Sequence, residues 1–468
     1  MIFADLVFLY IFLPLNLILY FAVPSVKVKQ NVLLIFSLIF YAWGRPAWML
    51  LLVATAFLDC RNARLIEKYR GTPKAKAALA ASLFVDIGVF VLFKYTGFFA
   101  ENLNFLFHSL LPVPDFELPI GISFYTFQTL TYVIDVYRGK TNAQKSFRKY
   151  LLYLSMYFQL VAGPIVRYTD VAKEIETPDI KASNIHAGIS RFICGLAKKA
   201  IIADTAALLV KQYMEADPAS LPVLAAWTGM LMYTVELYFD FSGYSDMAIG
   251  LGLIFGFHFP ENFNYPYIAT SVSEFWRRWH MTLGGFFRDY VYIPLGGNRK
   301  HVFINLFITW FLTGFWHGAS WNFIIWGLYN GLFIALERLF KDRFERLPTA
   351  VRHLYLLLVV NFGFVFFYFK DIGRAFRYFG ALFRFLPFSS TDFRYTFMNF
   401  LFFIALSLLL CIPVAPYLKK RLAHFANGSV AALIVSEVLV NILLLLLLLA
   451  CTAMLAGGSF SPFLYFQF

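Results

Sequence analysis

The chain has 468 residues, of which 60% are hydrophobic, 20% aromatic and only 14% charged, with a mean hydropathy of +0.67. A soluble domain carries about 25% charged residues, so this composition excludes an ordinary soluble enzyme and points to an all-α polytopic membrane protein. The formal charge of +13 does not signal nucleic-acid binding, because Lys and Arg sit in short clusters between apolar runs, as orientation signals do.

Apolar runs occur at Leu6 to Val23, Val32 to Trp43, Ala47 to Leu58, Ala77 to Phe93, Pro119 to Tyr137, Tyr150 to Val166, Ile189 to Leu209, Leu221 to Phe239 and Met247 to Phe257. Others follow at Val302 to Trp316, Trp321 to Leu336, Leu354 to Phe369, Phe397 to Val414 and Val430 to Leu455. A span needs about 20 apolar residues, which leaves room for about a dozen. Several runs are short or broken by Gly and Pro, so re-entrant or interfacial helices are expected among the full spans. The first run follows Asp5 and has no basic residue before it, which predicts a retained span and not a cleaved signal. One membrane domain over 1–468 is the simplest organisation: N-terminal helices to residue 117, a core over 118–338 and C-terminal helices over 339–468.

Charge alternation sets the expected orientation. Arg61, Arg64, Lys68, Arg70, Lys74 and Lys76 follow the third run, and Arg138, Lys140, Lys145, Arg148 and Lys149 follow the fifth. Between them, Tyr95 to Glu117 has no Lys or Arg but holds Glu101, Asp115 and Glu117. The basic segments are expected in the cytoplasm and the N-terminus outside. Asp59, Asp86, Asp135, Glu236, Asp240, Asp246, Glu337 and Glu437 lie in or near apolar runs, and most of them read as helix-end residues.

Chemistry concentrates downstream. From His301 to Leu336 there is no Asp, Glu, Lys or Arg, yet His317 sits near the middle, in FLTGFWHGASWNFIIWG. In a helix its face would hold Thr313, Gly314, Ser320 and Trp321, small and partly polar, better suited to a cavity than to lipid. An imidazole with an ordinary pKa near 6.5 accepts a proton from a hydroxyl and returns it to a leaving group. His280, in WRRWH, stands beside Arg277 and Arg278; with Arg288, Arg299 and Lys300 these residues read either as an interfacial belt or as a basic mouth for an anionic donor. There is no GxSxG elbow, HExxH or Walker loop. The four cysteines, Cys60, Cys194, Cys411 and Cys451, show no metal or disulfide spacing. FSGYS, from Phe241 to Ser245, lacks elbow spacing and reads as a helix break at a tight contact. Beside it, Asp240 and Asp246 read as members of a structural network or as part of a cavity lining.

Together, ELYFDFSGYSDMAIGLGLIFGFHFPENFNYPYIATSVSEFWRRWHMTL, FRDYVYIPLGGNR and FWHGASWNFIIWGLYNG closely resemble the membrane-bound O-acyltransferase superfamily, in its bacterial alginate O-acetyltransferase branch. LPIGISFYTFQTLTYVIDVYRG, QLVAGPIVRY and the terminal SPFLYFQF look like the same branch. The resemblance implies a ring of about 11 to 14 transmembrane and re-entrant helices around a central tunnel. Its catalytic histidine falls on His317, and the upstream histidine on His280. The tunnel or donor mouth would draw on Trp276, Arg277, Arg278, Trp279, Arg288, Asp289, Trp316, Asp240 and Ser242. No bound cofactor or metal is implied; acetyl-CoA is the implied donor. The acceptor would be an exported polysaccharide, reached directly or through a periplasmic or extracellular acetyltransferase partner, from a multi-pass position in the bacterial cytoplasmic membrane. Alternatives are D-alanyl transfer to teichoic acid from an acyl carrier protein, and a proton-coupled transporter or channel. Two departures stand out: Tyr157, Phe158 and Gln159 replace a usual Phe-Pro-Gln, which predicts a lost kink, and Gly284 and Gly285 stand where a serine is more usual.

Overall fold

The computed structural model describes residues 1–114, 116–414, 416–418, 421, 430–458 and 463–464. Asp115 and most of the terminal SPFLYFQF motif lie outside the described residues. Within them the secondary structure is helical, with no strand, as lipid demands of a chain that must satisfy its own backbone groups. Its helices include α1 (Leu13–Ala22), α2 (Val26–Ala42), α3 (Pro46–Lys68), α4 (Pro73–Phe107), α5 (Ile122–Tyr137), α6 (Ala182–Ala197) and α7 (Val223–Phe255). They continue with α8 (Val272–Arg278), α9 (Val302–His317), α10 (Trp321–Leu339), α11 (Thr349–Tyr368), α12 (Thr391–Leu410) and α13 (Val430–Ala456). Among the described residues, four stretches are long and apolar enough to cross a bilayer: α4, α11, α12 and Ile434–Ala456. The remaining helices are shorter or more polar. The protein is a multi-pass membrane protein.

Backbone contacts divide the chain into two compact units, Met1–Phe192 with Tyr244–Glu261, and Ile193–Gly243 with Asn262–Phe468. In the first, Pro46 and Pro73 open α3 and α4, where a missing N–H costs nothing, and Gly71 turns between them at φ +82°. Two acidic residues correct the helix-end reading: Asp59 and Asp86 lie in the interiors of α3 and α4, 0% and 4% exposed, beside an Asn62 to Ser82 hydrogen bond of 3.0 Å. The kink expected to be lost near Gln159 is present. The chain leaves the helical region at Met156 (φ −48°, ψ 113°) before a short turn over Tyr157–Leu160, so the break does not need proline. Asp246 accepts from Arg191 Nε at 2.9 Å and is a structural partner.

FSGYS is also corrected, because it continues α7 without a break. Its tight contact does exist. A Cβ on Gly243 would lie 2.8 Å from the Gly195 carbonyl oxygen, so glycine there permits close packing and leaves the helix intact. In the second unit Asp240 pairs with Lys199 at 2.7 Å, and Lys199 also meets Asp204 at 2.9 Å. The Leu464 N–H donates to Asp240 at 2.8 Å, and the Lys199 ammonium lies 4.8 Å from the Phe463 ring centroid.

Candidate active site

The site is built from α8, α9, α10 and the loops around them, all in the second unit. Helices α9 and α10 form a hairpin whose close approach rests on glycine. A Cβ on Gly314 would meet the Phe323 carbonyl oxygen at 2.3 Å, and one on Gly327 would meet the Trp310 carbonyl oxygen at 2.4 Å. Along α9, Asn305, Thr309, Thr313 and His317 recur every fourth residue and so form one polar stripe. Each threonine hydroxyl turns back to the carbonyl four residues earlier, at 2.7 and 2.8 Å. Both hydroxyls are therefore satisfied within the helix, and the stripe runs on to the end of α9.

His317 is that end. Gly318 leaves the helix in extended backbone, which corrects the expectation that Ser320 and Trp321 share its helical face. The imidazole stands edge-on to Trp326 (4.9 Å, 86°) and Phe367 (5.3 Å, 80°) and close to Trp316 (4.8 Å), so three aromatic rings fix its plane.

His280 sits between α8 and a short helix over Met281–Phe287, in left-handed backbone at φ +43°, a conformation uncommon for a non-glycine residue. It is 3% exposed. Its Nδ1 lies 3.0 Å from Asn262 Oδ1, and that same oxygen accepts from Thr282 Oγ1 at 2.9 Å and Thr282 N at 3.4 Å. A backbone N–H can only donate, so Asn262 presents oxygen and the imidazole proton belongs on Nδ1. Nε2 is left as a buried acceptor with no hydrogen-bond partner among the described residues. Burial pushes the imidazole down to about 3, because desolvation disfavours its charged form. Phe241 braces the ring edge-on at 4.7 Å.

Both histidines line one cavity of about 490 Å³, together with Trp276, Arg277, Trp279 and Arg288. Trp316 is buried beside both rings, 6.3 Å from His280. Other expected residues fall elsewhere. Arg278 turns to Glu274 at 2.9 Å and to the Asn264 carbonyl at 3.2 Å. Asp289 holds Arg288 at 2.7 Å from outside the lining. Asp240 belongs to the Lys199 ion pairs, and Ser242 is buried away from the cavity. Arg299 and Lys300 are exposed and do not line it.

Several contributors escaped the sequence reading. Arg338 lines the cavity and donates to Asn298 at 2.7 Å; its place near the end of α10 looks like an ordinary flanking charge. Asn262 orients His280 from a loop 18 residues upstream, which no local pattern encodes. Thr309, also missed, lines the cavity, and its signal is the four-residue stripe that leads back from His317. Glu337 accepts the Ser273 N–H at 3.0 Å and hydroxyl at 2.8 Å, and Trp276 donates to Asn330 at 3.1 Å. These bonds clamp α8 to α10 and fix the cavity wall. At Gly284, also in the lining, the nearest atom to an added Cβ is the Trp276 carbonyl oxygen at 3.7 Å.

The profile of the membrane-bound O-acyltransferase family matches residues 143–376. A protein named probable alginate O-acetylase from Azotobacter vinelandii is 37% identical over the whole of both chains. A peptidoglycan O-acetyltransferase of Helicobacter pylori is 33% identical over 79% of this chain and 77% of its own length. A teichoic acid D-alanyltransferase of Bacillus subtilis is 29% identical over 64% and 80%.

Proposed function

This chain belongs to the membrane-bound O-acyltransferase family and is an acyltransferase, and from that premise we propose that it moves acetyl groups from cytoplasmic acetyl-CoA toward hydroxyls of an exported polysaccharide. The acceptor is reached directly or through an extracytoplasmic acetyltransferase. The observation that carries the reading is one cavity lined by two histidines of different character and three arginines, Arg277, Arg288 and Arg338.

His317 is the general base. It takes the proton of the attacking hydroxyl as the new C–O bond forms at the acyl carbon. The C–S bond of the thioester then breaks, and the imidazolium returns the proton to the leaving thiolate, so no net proton is gained or lost. The edge-on aromatic rings hold the imidazole in one orientation, and base catalysis of this kind is worth about 10² to 10⁴ in rate. His280 remains neutral, and its free Nε2 accepts a hydrogen bond from an N–H or O–H of the bound substrate. The arginines supply charge-assisted bonds to donor phosphates. The protein sits in the bacterial cytoplasmic membrane with its N-terminus outside and its basic segments inside.

Acetyl transfer is favoured over D-alanyl transfer because the O-acetyl-transferring relatives share more identity over more of this chain. In a deletion strain, His317→Ala should reach normal membrane levels and leave the exported polymer without O-acetyl esters by mass spectrometry. Wild-type acetylation in that strain would refute the catalytic role. Loss of D-alanyl esters in place of acetyl esters on deletion would move the assignment to teichoic acid.

A further inference from the structure

A second cavity, larger than the active-site cavity, runs through the second unit between α7, α11 and α12. Its volume is about 670 Å³. Its wall includes Trp227 and Leu231 from α7, Leu357 from α11, and Phe397 and Met398 from α12, all apolar, with Arg394 at one end. The polar atoms it meets midway serve one another: Thr234 Oγ1 donates to Asn361 at 2.7 Å, and Asn361 donates to the Leu357 carbonyl at 2.7 Å. Two further polar residues in the wall are also bonded within the protein, Thr228 to the Leu224 carbonyl at 2.8 Å and His353 Nδ1 to the Ala269 carbonyl at 2.9 Å.

We infer that this slot is a phospholipid site, with one acyl chain inside it and the phosphate of an anionic headgroup at Arg394.

Shape argues for a single chain. The lining reaches from Leu224 to Val235 on α7 and from Phe393 on α12 to Cys411 just past its end, which at 1.5 Å per residue is about 17 to 27 Å, a large part of the roughly 30 Å of hydrocarbon in a bilayer. Spreading about 670 Å³ over that length leaves a cross-section of roughly 25 to 40 Å², room for a loosely held polymethylene chain and well below that of a helix about 10 Å across. Helix α12 is only 17% buried along its apolar window, against 44% for α11, so the slot lies under a thinly packed helix. Met398, 67% exposed, marks its open side. An apolar void stays dry, and its cost rises with its volume. In a bilayer, acyl chains are the abundant apolar filler. Charge argues for the headgroup: Arg394 is exposed in the first turn of α12, and none of the ion pairs among the described residues uses it.

The full chain is reconstituted in phosphatidylcholine nanodiscs containing either phosphatidylglycerol or phosphatidylcholine with brominated acyl chains, and tryptophan fluorescence is read. The Trp227 contribution is the difference from Trp227→Phe, and exposed Trp321, through Trp321→Phe, reports ordinary lipid contact. At equal mole fraction, brominated phosphatidylglycerol should quench Trp227 at least twofold more than brominated phosphatidylcholine does. Arg394→Gln should abolish that preference, and Leu231→Phe should reduce Trp227 quenching while leaving Trp321 unchanged. Trp227 quenched less than Trp321 by both lipids would overturn the chain site, and equal quenching by both lipids in the parent would overturn the headgroup site. Neither readout depends on acyl transfer, so failure here is separate from failure of the proposed reaction.

Discussion

His280 is held in a state that neutral solution would only partly favour. Its folded value of about 3 lies below the ordinary 6.5 of the unfolded chain. As pH falls, the unfolded chain therefore takes the proton first. The stability this residue contributes is complete above about pH 6.5 and is lost as pH falls from there towards 3, at about 1.4 kcal/mol per pH unit. Thermal unfolding in detergent across that window should show a shallower acid decline for His280→Gln than for the parent. The arginines make a different prediction. Arg277→Gln or Arg338→Gln should raise KM for acetyl-CoA about ten- to a hundredfold with little change in kcat, since a charge-assisted bond to a phosphate is worth about 1.5 to 3 kcal/mol and serves ground and transition states alike. At this scale the sequence was informative wherever a residue contradicted its surroundings. His317 stood out as the ionisable ring in an uncharged run, and its four-residue neighbours pointed along α9. Arg338 and Asn262 were invisible because an arginine near a helix end and an asparagine between prolines are unremarkable locally. Only tertiary contacts give them a partner.

The α9 and α10 hairpin carries the proposed base, and it closes on backbone contacts that no side chain tolerates. Gly327→Val should cost about 1 to 3 kcal/mol or more, by forcing apart Gly327 and Gly314. The drop would be read as lower thermal stability in detergent and lower membrane levels, with activity lost in step. Gly284→Ala, which meets nothing closer than 3.7 Å, is the stability-neutral comparison. Helix α7 shows why element boundaries were harder to read than element types. The hydrophobic pattern dips at Asp240 and again at Asp246, and small residues lie between, which locally resembles a break. A buried ion pair to Lys199 and a half-buried one to Arg191 supply the partners that let both carboxylates remain inside one continuous helix. For Asp59 the helix-end reading failed for the opposite reason, since α3 extends well beyond the apolar run that ends at Leu58, whereas Asp86 lies inside its own run and within α4.

At the scale of the whole molecule, composition alone established the all-helical membrane class, and long motifs established the family. The division into two compact units was not legible, because each unit is assembled from distant segments of chain. All the proposed chemistry falls in one of them, between Asn262 and Arg338, with Phe367 added from α11. The expected orientation leads to a sidedness test. Inverted membrane vesicles should consume added acetyl-CoA, whereas sealed right-side-out vesicles should not until permeabilised. Equal consumption by both would reject the cytoplasmic donor.

The clamp of α8 onto α10 and the open position at Gly284 together divide the cavity into parts that evolve under different constraints. The Glu337 and Asn330 bonds fix where Trp276 and Arg277 stand, so mutation there disturbs the framework itself. Gly284 lies in the same wall, where an added methyl group would meet only the Trp276 carbonyl oxygen at 3.7 Å, so the wall can be altered there while the histidines keep their geometry. A single codon there changes the room in the cavity while every proposed catalytic residue stays as it is.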